Sequence, residues 1–188
     1  MKFQPILLLS IVLGLISLQL RAQNEYKIDG KPTLKVSGTS TLHDWDMISD
    51  QANGSAKITV SGGSVQAITA ATLSMPAESI KSGKRPMDTN AYKALGTDKH
   101  KEIKFQLTEA KKQGDSWLIM GTLDLAGMKK PVTFESTLKT SGSKVTIHSS
   151  TSFKLTAFGI EPPTALLGSV KTGDDVTLTI EMTLAPIN

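Results

Sequence analysis

The stretch VTLTIEMTL, residues 176–184, decides the fold class of this chain of 188 residues. Its apolar side chains occupy every second position: Val176, Leu178, Ile180, Met182 and Leu184. A period of two is typical of a β-strand with one face in the core and the other in water. The segments 103–107, 117–125 and 132–138 show the same period. The sequence therefore predicts an all-β domain with an antiparallel sheet.

Turn residues separate the alternating segments at intervals of roughly ten residues, which is typical of a β-sandwich or a β-barrel. The turn signals are Ser61-Gly62-Gly63, Gln113-Gly114-Asp115, Ala126-Gly127, Ser141-Gly142 and Thr172-Gly173-Asp174. The alternation slips by one residue between Leu42 and Trp45, and again between Leu155 and Phe158. Such a slip indicates a β-bulge, and bulges let strands curl. The sequence therefore favours a closed barrel.

Residues 88–96 do not alternate and predict one short helix inserted between strands. Asp88 suits the N-cap, Tyr92 and Leu95 are three residues apart, and Gly96 is a stop signal. Residues 82–86 are expected to form the preceding loop. A helix beside the mouth of a barrel would cover its interior and control ligand access.

The N-terminal segment is typical of a secretory signal peptide. Lys2 precedes an apolar run from Ile6 to Leu20, and Ala22 is a small residue before a polar segment. The run is shorter than the ~20 apolar residues of a transmembrane helix. We expect residues 1–22 to be a signal peptide and residues 23–188 to be the mature domain, with an uncleaved membrane anchor as the alternative.

The amino-acid composition limits the cell compartments and the classes of partner that this protein can have. The sequence contains no Cys for lipid attachment or disulfides, so we expect a periplasmic or secreted protein without stable membrane insertion after cleavage. Without Lys2 and Arg21, Lys and Arg fall from 21 to 19 against 17 Asp and Glu, a dispersed net charge near +2. This charge argues against a nucleic-acid partner. A monomer and a homodimer both stay open.

Catalytic and metal-binding constellations are hard to assemble from these residues. His43 with Asp44 or Asp46 is the densest cluster, but no second histidine stands at metal spacing. His100 lies in a charged run, and His148 is expected to point to solvent from its strand. We therefore predict no metal, no cofactor and no catalytic residues. A hydrolase that uses His43 with one of the two aspartates is kept as a hypothesis.

The inward-facing positions of the predicted barrel are apolar or small. Gly121, Ser136, Ser149 and Thr151 would leave space inside, and a barrel of about eight strands can be filled by side chains or can hold one small ligand. Both readings stay open on these residues. The first supports a structural module with a packed interior, and the second supports a carrier of an apolar ligand.

Motifs spread from residue 33 to the end resemble the YceI-like family of secreted bacterial proteins. They are VSGTS with LHDW within residues 36–45, SIKSG at 79–83, EIKF at 102–105, GTL with AGMKKPV within 121–132, FGI at 158–160 and GDDV at 173–176. The resemblance implies an antiparallel eight-stranded barrel of lipocalin-like shape that holds a long apolar molecule, such as a polyisoprenoid, without catalysis. The family's Arg-Asp-x-His-Leu pattern falls on residues 87–91, where only Asp88 is kept.

The leading hypothesis is therefore a carrier of a long-chain isoprenoid or fatty-acid-like lipid. Its candidate ligand-binding residues are Leu42, His43, Trp45, Met75, Ile80, Arg85, Met87, Tyr92, Leu95, Phe105, Leu123, Phe153 and Phe158. Arg85 or His43 is expected to meet a polar headgroup, and Leu42 is expected to point inward. A ligand-free structural or stress-related envelope module is the second hypothesis, and the hydrolase is the third.

Overall fold

One antiparallel sheet curls into a ring of eight strands, with one α-helix beside it. The computed structural model describes residues 24–187. The elements are β1 (Asn24–Ile28), β2 (Thr33–Ser40), β3 (Trp45–Ser49), β4 (Asn53–Ser61), β5 (Ser64–Pro76), α1 (Arg85–Leu95), β6 (Glu102–Gln113), β7 (Ser116–Leu125), β8 (Met128–Ser141), β9 (Lys144–Lys154), β10 (Thr164–Ala165) and β11 (Val170–Pro186). The predicted all-β antiparallel barrel with one inserted helix is confirmed.

The ring runs through β1, β4, β5, β6, β7, β8, β9 and β11, and closes where β11 pairs with β1. Strand β11 pairs with β9 along one edge. Its other edge pairs first with β2, from Thr172 to Glu181, and then with β1, from Leu184 to Pro186. Strand β3 extends the sheet from β2. The two ends of the barrel therefore have different walls.

Four of the five predicted turns are chain reversals, and each contains a glycine with positive φ: Gly63, Gly114, Gly127 and Gly142. The fifth prediction, at Thr172–Asp174, is wrong because β11 continues through it with a register shift opposite β2. A Cβ at Gly173 would lie 2.5 Å from the hydroxyl oxygen of Thr39. This glycine therefore permits a close approach of two strands and does not form a turn.

The two slips in alternation are connections and not β-bulges, so that prediction is wrong. Strand β2 ends at Ser40 and β3 begins at Trp45, and the second slip falls on a 3₁₀ turn at Leu155–Phe158. The register shifts lie between Lys57 and Ile58, Thr59 and Val60, Leu107 and Glu109, and Thr172 and Val176. Bulges thus curl the sheet as expected, but at other positions.

The end of the barrel that β1 closes is filled. Its core cluster contains Tyr26, Ala56, Ile58, Val65, Ile68, Trp117, Val145 and Leu184. Ser136 and Ser149, which were expected to leave space, share a hydrogen bond of 2.7 Å. The space at Gly121 is taken by the ring of Phe105, which would lie 2.3 Å from a Cβ there. A void of about 90 Å³ lies among the side chains at this end.

Helix α1 begins three residues before the predicted N-cap and ends at Gly96 as predicted, with φ of 60°. Pro86 fits the first turn because the N–H that it lacks would have no partner in the helix there. Asp88 does not cap the helix. One of its carboxylate oxygens accepts hydrogen bonds from the backbone N–H and the hydroxyl of Ser82, both at 2.7 Å. This contact ties the first turn of α1 to the preceding loop.

Tyr92 anchors the other half of α1. Its hydroxyl donates to the carbonyl oxygen of Ile80 at 2.9 Å and accepts a hydrogen bond from the Lys81 ammonium. That hydrogen bond raises the pKa of Lys81 above its ordinary value. Desolvation acts to raise the pKa of Asp88, but the Ser82 hydrogen bonds and the Lys81 charge together hold it below its ordinary value.

Two further observations concern the membrane prediction. The apolar run Ile6–Leu20, on which the signal peptide depends, lies outside the described residues. Within residues 24–187, no helix is long and apolar enough to cross a bilayer.

We expect Asp88→Asn to lower the free energy of unfolding at neutral pH, because a neutral amide accepts the Ser82 hydrogen bonds less strongly than a carboxylate. The folded pKa of Asp88 lies below the ordinary value of 3.8, so its charge stabilises the fold above that pH and this contribution is lost as the pH falls through the folded value. Denaturant unfolding at a series of pH values should show the difference from wild type shrinking in acid.

The matched control is Asp115→Asn, an exposed carboxylate in the β6–β7 turn. It should change the free energy of unfolding little at any pH. A difference between wild type and Asp88→Asn that stays constant down to acid pH would contradict the role given to the Asp88 charge.

Candidate ligand-binding site

An apolar cavity of about 680 Å³ occupies the end of the barrel that α1 covers. This volume lies within the range of small-molecule binding sites. Among the described residues that line the cavity none is acidic, and the lining includes one lysine, Lys84, and one histidine, His43. The cavity opens to solvent at its mouth, where exposed loop residues contribute to the lining. The site is therefore a pocket with an apolar interior and with Lys84 and His43 in its lining.

The wall of the cavity continues the alternation of the strands. Inward positions of six strands supply it, with two successive ones on β7 and on β11: Val36, Met47, Ile103, Leu123, Leu125, Phe153, Val176 and Leu178. The ring of Phe153 packs on that of Phe158 with centroids 4.8 Å apart. The strand pattern read from the sequence thus produces both the packed core and the pocket.

Helix α1 covers the cavity without filling it. Met87, Ala91, Ala94 and Leu95 line the cavity from one helical face, with the i, i+4, i+7, i+8 spacing of an amphipathic helix. None of the residues of α1 is fully buried. Because two residues of this face are alanines, the helix leaves space beneath it.

Trp45 closes one side of the mouth, and Gly38 makes room for it. The two residues are cross-strand partners in the β2–β3 pair. A Cβ at Gly38 would lie 2.4 Å from the indole ring, so another residue there would displace the indole. The indole N–H donates to the carbonyl oxygen of Thr39 at 2.9 Å. This geometry explains why a glycine stands opposite Trp45.

His43 lies in the β2–β3 turn that Ser40 organises. The Ser40 hydroxyl donates to the carbonyl oxygen of His43 at 2.7 Å and accepts from the backbone N–H groups of Leu42 and His43, both at 3.2 Å. The imidazole Nδ1 lies 2.6 Å from the backbone carbonyl oxygen of Asp44. The ring therefore contacts a carbonyl and not a carboxylate. Across residues 24–187, no three His, Asp or Glu side chains are placed to share a metal ion.

The structure brings most of the candidate residues together around the cavity. Those in its lining are Leu42, His43, Trp45, Ile80, Met87, Leu95, Leu123 and Phe153. Leu42 was expected to point inward, but 66% of its surface is exposed at the mouth because the alternation ends with β2. That these residues bind a ligand stays a prediction.

Three apolar candidate residues, two expected in the interior and Phe158 expected at the mouth, are outside the lining because they pack elsewhere. Met75 is 5% exposed and belongs to a core cluster with Leu34. Phe158 is 2% exposed and packs on Phe153. Phe105 lies over Gly121, toward the filled end, with its centroid 5.5 Å from that of Phe134. These side chains support the site without facing its space.

Two further candidate residues, Tyr92 and Arg85, are also outside the lining. The hydroxyl of Tyr92 is occupied by the Ile80 and Lys81 contacts, so this side chain holds the helix in place. Arg85 is exposed at the first position of α1, and the neighbouring Lys84 lines the cavity in its place. The start of α1 three residues early explains this shift, since Lys84 becomes the N-cap residue.

Sequence reasoning missed the hairpin formed by β10 and the start of β11. Its tip carries Leu166, which is 72% exposed and lines the mouth, and Leu167, which is fully exposed. Both have positive φ, at 50° and 56°, a conformation that hairpin turns usually give to Asn or Gly. Such a backbone costs about 1–2 kcal/mol per residue. The sequence signal for this hairpin tip was the Leu-Leu pair directly before Gly168, which an analysis of alternating apolar residues does not detect.

Comparison with known proteins identifies the family. A family model described as the YceI-like domain matches residues 26–184. The UPF0312 protein of Serratia proteamaculans (strain 568) is 31% identical over 93 residues. The match covers 46% of this chain and 47% of that relative, so it spans about half of the relative's length.

Solved structures share the fold at low sequence identity. BcnA of Burkholderia cenocepacia has a TM-score of 0.68 at 13% identity, covering 81% of this chain and 95% of that one. A polyisoprenoid binding domain from Saccharophagus degradans, described as implicated in plant cell wall breakdown, has a TM-score of 0.66 at 14% identity, covering 86% and 98%. The YceI protein of Campylobacter jejuni has a TM-score of 0.57 at 16% identity, covering 73% and 85%.

At these identities the solved structures support the barrel fold alone. The family model, in contrast, covers almost all of the described residues, from Tyr26 in β1 to Leu184 near the end of β11. The chain therefore belongs to the YceI-like family.

Proposed function

We propose that this protein is a carrier that holds one long apolar chain, an isoprenoid or a fatty-acid-like lipid, in its cavity. The observation that carries the proposal is the cavity of about 680 Å³ with its almost wholly apolar lining. Burial of such a chain stabilises the complex by about 0.8 kcal/mol for each CH₂ removed from water. The neighbour from Saccharophagus degradans, described as a polyisoprenoid binding domain, supports this class of ligand.

The cavity favours a carrier over a ligand-free structural module. A packed module would fill both ends of the barrel as Trp117 and Tyr26 fill one of them. At the other end the helix presents alanines to open space. Apolar cavity volume costs packing energy, so a bound apolar chain would add contacts along the cavity wall.

The surroundings of His43 favour binding over hydrolysis. Its Nδ1 contacts the Asp44 backbone carbonyl, which is neutral and does not supply the negative charge of the carboxylate that stabilises a catalytic imidazolium. We therefore assign His43 to the mouth of the site, as a polar neighbour of the ligand's end.

We assign the polar end of the ligand to Lys84. Lys84 lines the cavity at the exposed start of α1, and the described lining contains no carboxylate; Asp44, Asp46 and Asp175 lie in a neighbouring surface pocket that Lys84 also lines. An anionic headgroup such as a phosphate or a carboxylate fits this position, since an ammonium donates charge-assisted hydrogen bonds to either.

We place the carrier in the periplasm or outside the cell. The predicted signal peptide over residues 1–22 and the lack of cysteine support export without a lipid anchor. In an aqueous compartment beside membranes, a long apolar chain needs a protein that keeps it out of water.

The double substitution Ala91→Phe with Ala94→Phe should abolish or strongly reduce binding of a fluorescent long-chain lipid. Both side chains point from α1 into the cavity, so two phenyl rings would occupy the space of the ligand. The measurement is a fluorescence titration with a dispersed probe, together with thermal unfolding to confirm that the variant is folded. Thr89→Phe, on the exposed face of the same helix, is the matched control and should bind as wild type does. Equal binding by all three proteins would show that the cavity is not the site.

The substitution Lys84→Gln should weaken binding of a lipid phosphate or fatty acid by roughly three- to tenfold, the effect of one partly exposed charge-assisted contact. The alcohol with the same chain should bind equally to both proteins, since the chain makes the same apolar contacts. Competition titration against the fluorescent probe measures both ligands. Lys93→Gln, an exposed lysine of α1, serves as the control. An equal loss for the alcohol would contradict a headgroup role for Lys84.

A further inference from the structure

The most exposed apolar side chains of the described residues gather at the mouth of the cavity. Leu42, Leu166 and Leu167 are exposed by 66%, 72% and 109%, whereas Ile48 and Ile187 reach 43% and Met128 reaches 38%. Single exposed apolar residues are ordinary on protein surfaces. Three leucines at one opening form a patch, and exposed apolar patches mark interaction sites.

The three leucines belong to two loops that are fastened to each other. The backbone N–H of Thr41 donates to the carbonyl oxygen of Lys171 at 3.0 Å. The Thr41 hydroxyl donates to the carbonyl oxygen of Ser169 at 3.3 Å and accepts from the backbone N–H of Lys171 at 3.1 Å. The Leu42 turn and the tip of the β10–β11 hairpin are thereby held side by side. We call Leu42, Leu166 and Leu167 together the leucine rim.

The hairpin tip holds its leucines against local preference. A polar Asn or Gly would suit both the positive φ and the solvent exposure of Leu166 and Leu167. Positions where the local preference of the sequence and the structure disagree are expected at functional sites. Contact with an apolar surface would remove the two leucine side chains from water and so offset the cost of their exposure.

We propose that the leucine rim inserts into the surface of a lipid bilayer, so that the cavity loads and releases its chain at the membrane. The inference rests on the carrier function proposed above, because a long apolar chain resides in a bilayer and passes poorly through water. Leu42 and Leu166 both line the cavity as well as its exposed edge. The rim is therefore continuous with the path that such a chain would take.

A bilayer fits this rim better than a second copy of the protein does. Leu167 protrudes fully from a hairpin tip, and a protein partner would need a matching pocket, whereas a bilayer deforms around such a side chain. Lys84 lines the mouth of the cavity, and a neighbouring surface pocket is lined by Lys84 together with Asp44, Asp46 and Asp175. Because charges of both signs lie beside the mouth, we expect the leucines and not electrostatic attraction to provide most of the binding.

The test is flotation of the protein with phosphatidylcholine vesicles that contain some phosphatidylglycerol. The triple variant Leu42→Asn, Leu166→Asn and Leu167→Asn should lose about tenfold in vesicle affinity for each leucine removed, from the burial free energy of an aliphatic side chain. Its melting temperature should not fall, since Asn tolerates positive φ better than Leu. Binding of wild type should persist at high salt.

The matched control is Ile48→Asn with Ile187→Asn, which removes exposed apolar side chains away from the mouth. This variant should bind vesicles as wild type does. Equal vesicle binding by the rim variant, the control variant and wild type would overturn the proposal. A rim variant that changes the oligomeric state by light scattering but not the vesicle affinity would also overturn it, in favour of a dimer.

A second measurement separates this proposal from the carrier function. All three proteins are titrated with the dispersed fluorescent lipid in the absence of vesicles. Normal probe uptake with no vesicle binding by wild type would overturn the leucine rim and leave the carrier function standing. Leucine-dependent vesicle binding without probe uptake by any of the proteins would support the rim and count against the carrier function.

Discussion

Strand β11 pairs with four other strands, and two of them, β1 and β2, share one of its edges. This shared edge determines the shape of the barrel. Along that edge β1 takes the last residues of β11 and closes the ring, while β2 takes the earlier ones and brings β3 with it. Beyond β3 the wall is completed by irregular chain, which two backbone hydrogen bonds of 2.8 Å between Ile48 and Lys81 join to the strand. The packed end lies where β1 closes the ring, and the cavity lies where β2 and β3 replace it.

Side-chain size then decides what each end contains. The end that β1 closes is filled by large side chains such as Tyr26 and Trp117. Its small residues contact each other, as in the hydrogen bond between Ser136 and Ser149. The open end is covered by a helix whose inner face includes Ala91 and Ala94. Side chains that line an apolar cavity make fewer dispersion contacts than side chains in a packed core. The cavity therefore lowers the free energy of unfolding at the site where a chain would bind. The anchored helix and the strained hairpin tip lie at that same end.

Much of the fold could be predicted from alternation, because strands β6 to β9 and β11 bury one face against a continuous core. The helix stop at Gly96 was also readable, since a glycine with positive φ commonly ends a helix. The positions of the β-bulges could not be predicted. The one-residue slip in alternation between Leu42 and Trp45 has the same sequence pattern whether the strand bulges or the chain reverses. Gly173 led to a wrong turn prediction for a related reason. It allows β11 to approach Thr39 of β2 closely and does not form a turn.

The site was predictable in outline but not in its polar and exposed parts. Inward residues such as Leu123 and Phe153 follow from the strand pattern. Lys84 was missed because its position depends on where α1 begins, and that boundary is set by Pro86 and the surrounding loop. Leu166 and Leu167 were missed because periodicity describes buried faces, whereas these side chains are exposed at a turn.

The central claim, that this barrel carries a lipid, is tested most directly by native mass spectrometry of the protein purified from its natural host without detergent. The account predicts a population heavier than the bare chain, with the extra mass released as a single long-chain lipid on denaturation in organic solvent. The Ala91→Phe and Ala94→Phe protein, expressed in the same host, should lack that mass. A wild-type mass equal to the bare chain, with no lipid in the extract, would contradict the account.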